Sequence, residues 1–129
     1  MLTIAGVGPG NPKYLTIDVS ERIKNAEKII AFGRVGKSIE LIRNDYIVVT
    51  RVDEIINLLD NRKDTLLLAS GDPCFYGIVD YIKKNAITIN EVLPGLSSFQ
   101  YMMAKLQKSW QNAEFISLHG RDEDLSIAK

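Results

Sequence analysis

Short apolar stretches alternate regularly along this chain with longer segments of helical character. Six stretches rich in Ile, Val and Leu have the length of strands, at residues 2–7, 28–32, 46–50, 65–69, 87–93 and 114–118. Strands that alternate with helices predict βαβ units, whose right-handed crossovers give a parallel sheet. We therefore expect an α/β fold with a mainly parallel five-stranded sheet and helices on both faces, followed by the first strand of a second domain.

Two of the intervening segments carry apolar residues at the i, i+3, i+4, i+7 spacing of an amphipathic helix. One runs through Phe75, Ile78, Val79 and Ile82, and the other through Phe99, Met102, Met103 and Leu106. Each is expected to lay one apolar stripe against the sheet. Thr16 and Asp53 precede two further helical segments and are expected to act as N-caps.

The domain organisation follows from the same pattern. No internal repeat, low-complexity tract or linker interrupts the chain before about Asn112, so residues 1–111 are predicted to form one α/β domain. The polar residues that follow the sixth stretch supply no further strand. Residues 112–129 are therefore expected to be the start of a truncated second domain.

Composition narrows the class of ligand. Sixteen Lys and Arg residues balance sixteen Asp and Glu residues, so no net field favours nucleic acid. No apolar run reaches the length of a membrane span. The single cysteine, Cys74, and the absence of clustered Cys and His predict no metal site and a reducing compartment. We expect a cytoplasmic protein whose partner is a small molecule.

Four loops are expected to meet at one edge of the sheet. In an open parallel sheet, ligands bind beyond the carboxyl ends of the strands. The predicted strands are followed there by Gly-Val-Gly-Pro-Gly at residues 6–10, Ser-Gly-Asp-Pro at 70–73, Pro-Gly-Leu-Ser-Ser at 94–98 and His-Gly-Arg at 119–121. Their joint placement predicts a binding site at this edge.

The first loop by itself leaves two interpretations open. Its glycines resemble a dinucleotide-binding fingerprint, but Asn11 stands where the third fingerprint glycine belongs. Arg34 follows the second predicted strand, where a dehydrogenase holds its ribose with an acidic residue. The glycines could equally make a tight turn without binding a ligand.

The other loops offer polar groups with similar alternatives. Asp72 could accept hydrogen bonds from a ligand or cap the next helix. Gly95 would let the backbone approach a ligand closely, and Ser97 and Ser98 could cap a helix or donate hydroxyl groups. The fork of Arg121 suits carboxylates. No residue is identified as catalytic.

Read in order, these loops resemble the tetrapyrrole (corrin/porphyrin) methylase family. The resemblance rests on residues 6–10 with Leu15 and Thr16, on residues 69–77 (Ala-Ser-Gly-Asp-Pro-Cys-Phe-Tyr-Gly) and on residues 93–100 (Leu-Pro-Gly-Leu-Ser-Ser-Phe-Gln). Trp110 and residues 117–121 are most similar to the subgroup that methylates C5 of cobalt-precorrin-7 in cobalamin biosynthesis.

This resemblance implies a methyltransferase that uses S-adenosylmethionine, acts on a carbon of a precorrin or cobalt-precorrin, and forms a homodimer. The residues that it implies for the cofactor are Gly8, Pro9, Gly10, Gly71, Asp72, Phe75, Tyr76, Gly77, Ser97 and Ser98. Those expected against the tetrapyrrole are Gly8, Pro9, Gly10, Pro94, Gly95 and Arg121. The first loop is expected mainly to line the substrate site and secondarily to contact the cofactor.

Because such a substrate bears several carboxylates, Arg34, Arg51 and Arg121 are candidates to orient it, although solvated surface charge explains the first two equally well. Two other functions remain open at this point. One is a nucleotide-binding oxidoreductase domain, and the other is an inactive fragment that serves as a binding or oligomerisation module. From these 129 residues alone we expect weak turnover or none.

Overall fold

The protein is described by a computed structural model that covers residues 1–59, 62–75 and 77–115. Within this part of the chain the strands are β1 (Leu2–Gly6), β2 (Lys28–Phe32), β3 (Ile47–Val49), β4 (Thr65–Ala69) and β5 (Glu91–Leu93). The helices are α1 (Ile17–Asn25), α2 (Gly33–Ser38), α3 (Val52–Leu58), α4 (Ile78–Lys84) and α5 (Ser98–Leu106), with a short 3₁₀ turn at Pro12–Tyr14.

The five strands form one sheet in the order β3-β2-β4-β1-β5. Every neighbouring pair is parallel, and Leu2 to Gly6 lie opposite Thr65 to Ala69 in register. The carboxyl ends of all five strands therefore meet at one edge. This confirms the predicted α/β class and the mainly parallel sheet.

The sheet is covered on both faces because its strands alternate apolar side chains between two clusters. On one face Val19 and Ile23 of α1 and Val35 of α2 pack with Ile29 and Leu68 of the sheet. On the other face Ile55 of α3 and Val79 and Ile82 of α4 pack with Ile30 and Leu67. Helices α1 and α2 thus lie on one side, and α3 and α4 on the other.

The two expected N-caps differ in outcome. The Thr16 hydroxyl accepts the backbone N–H of Val19 at 3.1 Å, so its prediction is confirmed. The prediction for Asp53 is wrong, because α3 begins at Val52 and the N-cap position belongs to Arg51, which is extended and makes no capping hydrogen bond. Asp53 instead lies in the first turn, where its carboxylate favours the helix dipole and pairs with Arg51 Nε at 3.2 Å.

Two predicted elements, α4 and β5, begin three or more residues later than expected. Helix α4 begins at Ile78 and not at Phe75, because the preceding Gly77 has φ of +87°, which is not a helical conformation. Strand β5 is confined to Glu91–Leu93, while the Ile87 N–H still bonds the carbonyl of Ile82 at the end of α4. At Ile87, where the sequence predicts the start of a strand, the backbone is therefore still hydrogen-bonded to α4.

The contacts divide the chain into two compact units, Met1–Ser98 and Phe99–Lys129. The division into domains at residues 111 and 112 stays a prediction. In the described part of the second unit, α5 confirms the expected helix, but none of its residues is buried. Phe99 packs edge to face against Trp110 and Phe115, with ring centroids 5.7 and 4.8 Å apart.

The sixth predicted strand is described only at its start, since Glu114 and Phe115 are not in a strand and residues 116–118 lie outside the described part of the chain. Among the helices that the structure describes, each is too short or too polar to cross a membrane.

Candidate functional site

The loops after β1 and β4 are joined through their backbones. The Gly8 N–H donates to the Gly71 carbonyl at 3.2 Å, and the Gly71 N–H donates to the Gly8 carbonyl at 3.0 Å. Both glycines have positive φ, +74° and +62°, which side chains of L-residues rarely adopt. These glycines therefore allow the two loops to turn toward each other at the carboxyl edge of the sheet.

The loop after β5 packs directly on the other two. A Cβ atom placed on Gly95 would lie 2.3 Å from the Gly71 carbonyl oxygen and 2.8 Å from the Gly6 carbonyl carbon. A Cβ on Gly6 would lie 2.5 Å from that same oxygen. Since backbone atoms leave no room for a side chain at either position, three loops converge at separations that only glycine permits.

The carboxylate of Asp72 links two of these three loops by hydrogen bonds. Its Oδ1 accepts the Gly95 N–H and its Oδ2 accepts the Cys74 N–H, both at 3.0 Å. The neighbouring Pro73 is fully buried. The interpretation of Asp72 as the N-cap of the next helix is wrong, because α4 begins only at Ile78 and Gly77 holds its N-cap. Asp72 instead links the second loop to the third.

A cleft of about 450 Å³ opens beside the joined loops. It brings together predicted site residues from all three loops, together with residues of α2. Its lining residues are Val7, Gly8, Pro9, Gly10, Arg34, Val35, Ser38, Ser70, Gly71, Asp72, Phe75, Ser97 and Ser98. Ser97 is buried and Ser98 is exposed.

Helix α2 contributes a wall that the sequence interpretation did not foresee. Arg34, Val35 and Ser38 line the cleft, but only Arg34 was a candidate. Arg34 is exposed, and Ser38 lies one helical turn further on and donates its hydroxyl to the Val35 carbonyl at 2.6 Å. The i, i+4 spacing of Arg34 and Ser38 directly after a strand could have indicated this wall, but a six-residue helix with two glycines gives little periodicity.

The remaining predicted site residues lie elsewhere. Gly77, Pro94 and Gly95 are not among the residues that line the cleft, and Gly95 supports its wall from behind. Arg51 is also absent from the lining and pairs with Asp53 and Glu54 at 3.2 and 3.6 Å. Tyr76, His119 and Arg121 lie outside the described residues. Across the described ranges, no three His, Cys, Asp or Glu side chains are grouped so that they could hold a metal ion.

The geometry of the first loop disfavours a dinucleotide. A dinucleotide fingerprint places the pyrophosphate on the N-terminus of the helix that its third glycine opens. Here Asn11 instead accepts the Lys13 N–H at 3.0 Å and caps a 3₁₀ turn. Helix α1 begins only at Ile17, where the Thr16 side chain already occupies the Val19 N–H.

Comparisons with known proteins agree with the motifs. The probable cobalt-precorrin-7 C(5)-methyltransferase of Methanocaldococcus jannaschii is 30% identical over 96% of this chain and 63% of its own length. The cobalt-precorrin-7 C(5)-methyltransferase of Salmonella typhimurium is 27% identical over 94% of this chain and 62% of its own length. The chain thus spans about three fifths of the length of these relatives.

Among solved structures, the precorrin-6Y methylase of Archaeoglobus fulgidus has a similar fold, with a TM-score of 0.74 at 22% identity over 85% of this chain and 59% of its own. The family described as Tetrapyrrole (Corrin/Porphyrin) Methylases matches residues 1–129, all of the chain. The loops that build the cleft are the segments that carry the family's motifs, and the chain therefore belongs to the tetrapyrrole methylases.

Proposed function

We propose that this chain supplies the cofactor-binding loops of an S-adenosylmethionine-dependent methyltransferase that acts on a carbon of a tetrapyrrole. The observation that carries the proposal is the convergence of three family motifs, around Gly8, Asp72 and Ser97, on one cleft. A nucleotide-binding oxidoreductase is not favoured, because the first loop does not open a helix N-terminus.

The cleft fits the proposed cofactor in size and in chemistry. Its volume of about 450 Å³ falls within the range of roughly 300–1,000 Å³ that is usual for small-molecule sites. Gly8, Gly10 and Gly71 present no side chains to it, and a Cβ on Gly10 would meet nothing within 4 Å. Apolar atoms of Val7 and Phe75 suit an adenine ring or a thioether chain.

The residues proposed to hold the cofactor are Asp72, Phe75, Ser97 and Ser98. The Asp72 oxygens each accept one backbone N–H, and a carboxylate with about four lone-pair sites retains capacity for a hydroxyl or ammonium group. Ser98 is exposed at the start of α5 and offers a further hydroxyl.

When bound, S-adenosylmethionine supplies an activated methyl group on a sulfonium. The task of the protein is then to align the reactants and exclude water, for which a rigid cleft is suited. The Gly8–Gly71 backbone pairing and the Asp72 bridge to Gly95 hold the loops of the cleft together.

Arg34 is proposed to orient the tetrapyrrole through one of its carboxylates. Its guanidinium is exposed and its residue lines the cleft, and a guanidinium pairs with carboxylates in a bidentate manner. Pro9 and Gly10, which are exposed and line the cleft, are proposed as the substrate wall.

We also propose the methylated position, the cellular location, the oligomeric state and a second domain from the similarity to relatives. The names of the two curated relatives support C5 of cobalt-precorrin-7 as the methylated position. A cytoplasmic homodimer, and a second α/β domain that starts at about residue 112, follow from the family resemblance. Mass spectrometry of the methylated product tests the position of transfer.

Isothermal titration calorimetry of the chain with S-adenosylmethionine, and separately with NADH, tests the cofactor. We expect saturable binding of S-adenosylmethionine and none of NADH. Phe75→Ala should weaken binding by about 1 kcal/mol or more through lost apolar contact. Val52→Ala is a matched control, because Val52 and Phe75 are 40% and 36% exposed and Val52 does not line the cleft. Binding of NADH alone would refute the proposal.

Arg34→Gln tests the substrate contact, with uroporphyrin III as a polycarboxylated probe. Loss of a charge-assisted pair of about 1.5–3 kcal/mol predicts roughly 10- to 100-fold weaker binding in a fluorescence-quenching titration. Arg51→Gln is the control, since Arg51 lies outside the cleft lining and is ion-paired locally. Equal losses in both variants would exclude a specific role for Arg34.

A further inference from the structure

Helix α2 contains a glycine that its backbone conformation does not require. Gly36 lies inside the helix and is buried, and its φ is not positive, so any residue could adopt its conformation. A glycine inside a helix is less favourable than an alanine by about 1 kcal/mol. What glycine offers at this position is room for a neighbouring side chain.

The aromatic ring of Tyr46 fills that room. A Cβ atom placed on Gly36 would lie 2.1 Å from Cε2 and 2.3 Å from Cζ of this ring, distances that real side chains do not show. Tyr46 packs against the buried cluster on the α1 and α2 face of the sheet, and its hydroxyl donates to Glu40 Oε1 at 2.7 Å. The ring would lose these contacts if it turned away from Gly36.

The segment that carries Tyr46 is itself anchored. Arg43 donates to the carbonyl of Ile23 at 3.2 Å and to that of Ala26 at the end of α1, and its guanidinium also binds the Asp45 carboxylate at 3.1 Å. Tyr46 follows and directly precedes β3, which pairs with β2. Its backbone is therefore fixed close to both α1 and the sheet, and its ring limits how closely α2 approaches.

Tyr46 contacts α2 on the side opposite to the cleft. At 3.6 residues per turn, Arg34 and Ser38 project from one side of the helix and Gly36 from the other. Arg34 and Ser38 line the cleft. A methyl group added at Gly36 would therefore push α2 away from Tyr46 and displace Arg34 and Ser38 relative to the loops after β1 and β4.

We propose that Gly36 and Tyr46 are positioning residues for tetrapyrrole binding, because the close contact between them sets the distance of the Arg34 guanidinium from the rest of the cleft. This inference rests on the proposed function, in which Arg34 contacts a carboxylate of the substrate. Neither Gly36 nor Tyr46 is among the residues that line the cleft, so both act through α2. Gly36→Ala should therefore impair binding only while the Tyr46 ring and Arg34 are both present.

Fluorescence-quenching titration of the full chain with uroporphyrin III tests this requirement. Gly36→Ala should weaken binding roughly three- to tenfold, which is part of the loss expected for Arg34→Gln. In the Arg34→Gln background the same alanine should change Kd by less than about twofold, because the contact that it displaces is already absent. In the Tyr46→Val background it should also add less than about twofold, since its methyl group meets no ring.

Gly33→Ala is the matched control, because it makes the same substitution in the same helix and its Cβ would meet only Val48 Cγ1 at 3.8 Å. This variant should bind uroporphyrin III as the parent chain does. Tyr46→Phe keeps the ring and removes only the hydroxyl group, so it should bind more tightly than Tyr46→Val. Circular dichroism and urea unfolding check that each variant is folded.

Arg34→Gln shows whether the carboxylate contact exists, and Gly36→Ala shows whether the position of α2 controls it. If Arg34→Gln binds as the parent chain does, the proposed contact fails and the positioning role fails with it. If Arg34→Gln weakens binding but Gly36→Ala does not, or does so equally without Arg34 or without the Tyr46 ring, only the positioning role is refuted.

Tyr46→Val carries the test alone if Gly36→Ala does not fold. Loss of the ring should weaken uroporphyrin III binding when Arg34 is present, because α2 is then no longer held at its distance from the cleft. The same substitution should have little effect in the Arg34→Gln background. Equal losses in the two backgrounds, or no loss in either, would overturn the proposal.

Discussion

Three loops can pack closely at Gly95 because this residue has no side chain. Its Cα lies among the backbone atoms of Gly6 and Gly71, and its N–H binds Asp72. An alanine there would force its Cβ to within 2.3 Å of the Gly71 carbonyl oxygen. We expect Gly95→Ala to reduce the free energy of unfolding by about 1–3 kcal/mol, the usual cost of overpacking, and to weaken binding of the proposed cofactor. Urea unfolding and calorimetry measure the two effects.

Gly33→Ala tests whether the loss of stability in Gly95→Ala comes from close packing at that position or from the replacement of any glycine. The nearest atom to a Cβ on Gly33 is Val48 Cγ1 at 3.8 Å, an ordinary contact. Gly33 begins α2, where alanine is the better helix former by up to about 1 kcal/mol. Stability should therefore be unchanged or slightly higher. Similar losses in both variants would contradict the packing account.

The two hydrogen bonds that Asp72 accepts should contribute to the stability of the fold. In Asp72→Asn the side chain keeps one acceptor for two backbone donors, so one N–H loses its partner at a cost of about 1–3 kcal/mol. Asp80→Asn is the matched control, because Asp80 lies exposed in the first turn of α4. Urea unfolding should show the loss only at Asp72; equal stability of the two variants would argue against the bridge.

Among elements, α1 is anchored at both ends by side chains. Thr16 caps its N-terminus, and at the other end Arg43 donates to the carbonyls of Ile23, at 3.2 Å, and of Ala26. Asp45 holds the Arg43 guanidinium in turn. Replacing Thr16 with alanine should cost about 1 kcal/mol in urea unfolding, the usual value of a lost N-cap. Thr88→Ala, at an exposed loop position outside any strand or helix, should be neutral by comparison.

The C-terminal anchor predicts a dependence on pH. The hydrogen bond from Arg43 lowers the pKa of Asp45 below its ordinary value. A carboxyl whose pKa is lower in the folded state stabilises the protein above its unfolded pKa, and that contribution is lost as the pH falls through the folded pKa. Asp45→Asn should therefore be less stable than the parent chain at neutral pH, and the difference should shrink in acid. A difference that persists in acid would assign the effect to packing.

The elements also show where sequence patterns stop being informative. The helical spacing of apolar residues located α4 and α5, runs of Ile, Val and Leu located the strands at residues 28–32 and 65–69, and the Thr16 cap located the start of α1. These patterns could not locate the start of α4, which the positive φ of Gly77 sets, or exclude Asp53 as a cap, since Asp is favoured at the N-cap and in the first turn alike. These boundaries depend on backbone conformation that neighbouring loops impose.

For the whole molecule, the rule that ligands bind at the carboxyl edge of a parallel sheet indicated from sequence the edge at which the cleft lies. It brought Gly8, Asp72 and Ser97 to one cleft before any geometry was known. It did not reveal that Gly95 packs behind the wall or that Ser38 lines it, because both depend on how closely loops and α2 approach. The local sequence shows which loop follows which strand. The distance between two loops depends on the tertiary structure.

The unit Met1–Ser98 contains every described residue of the cleft, so its stability should depend on a ligand bound there. A ligand that binds only the folded state stabilises it by about 2.7 kcal/mol at a concentration of 100 times Kd. For a domain of this size such a gain raises Tm by more than about 10 °C. Calorimetry with increasing S-adenosylmethionine should show this rise in the parent chain and in Val52→Ala. In Phe75→Ala the curve should move to higher ligand concentration, and a rise that is identical in all three proteins would place the binding site outside the cleft.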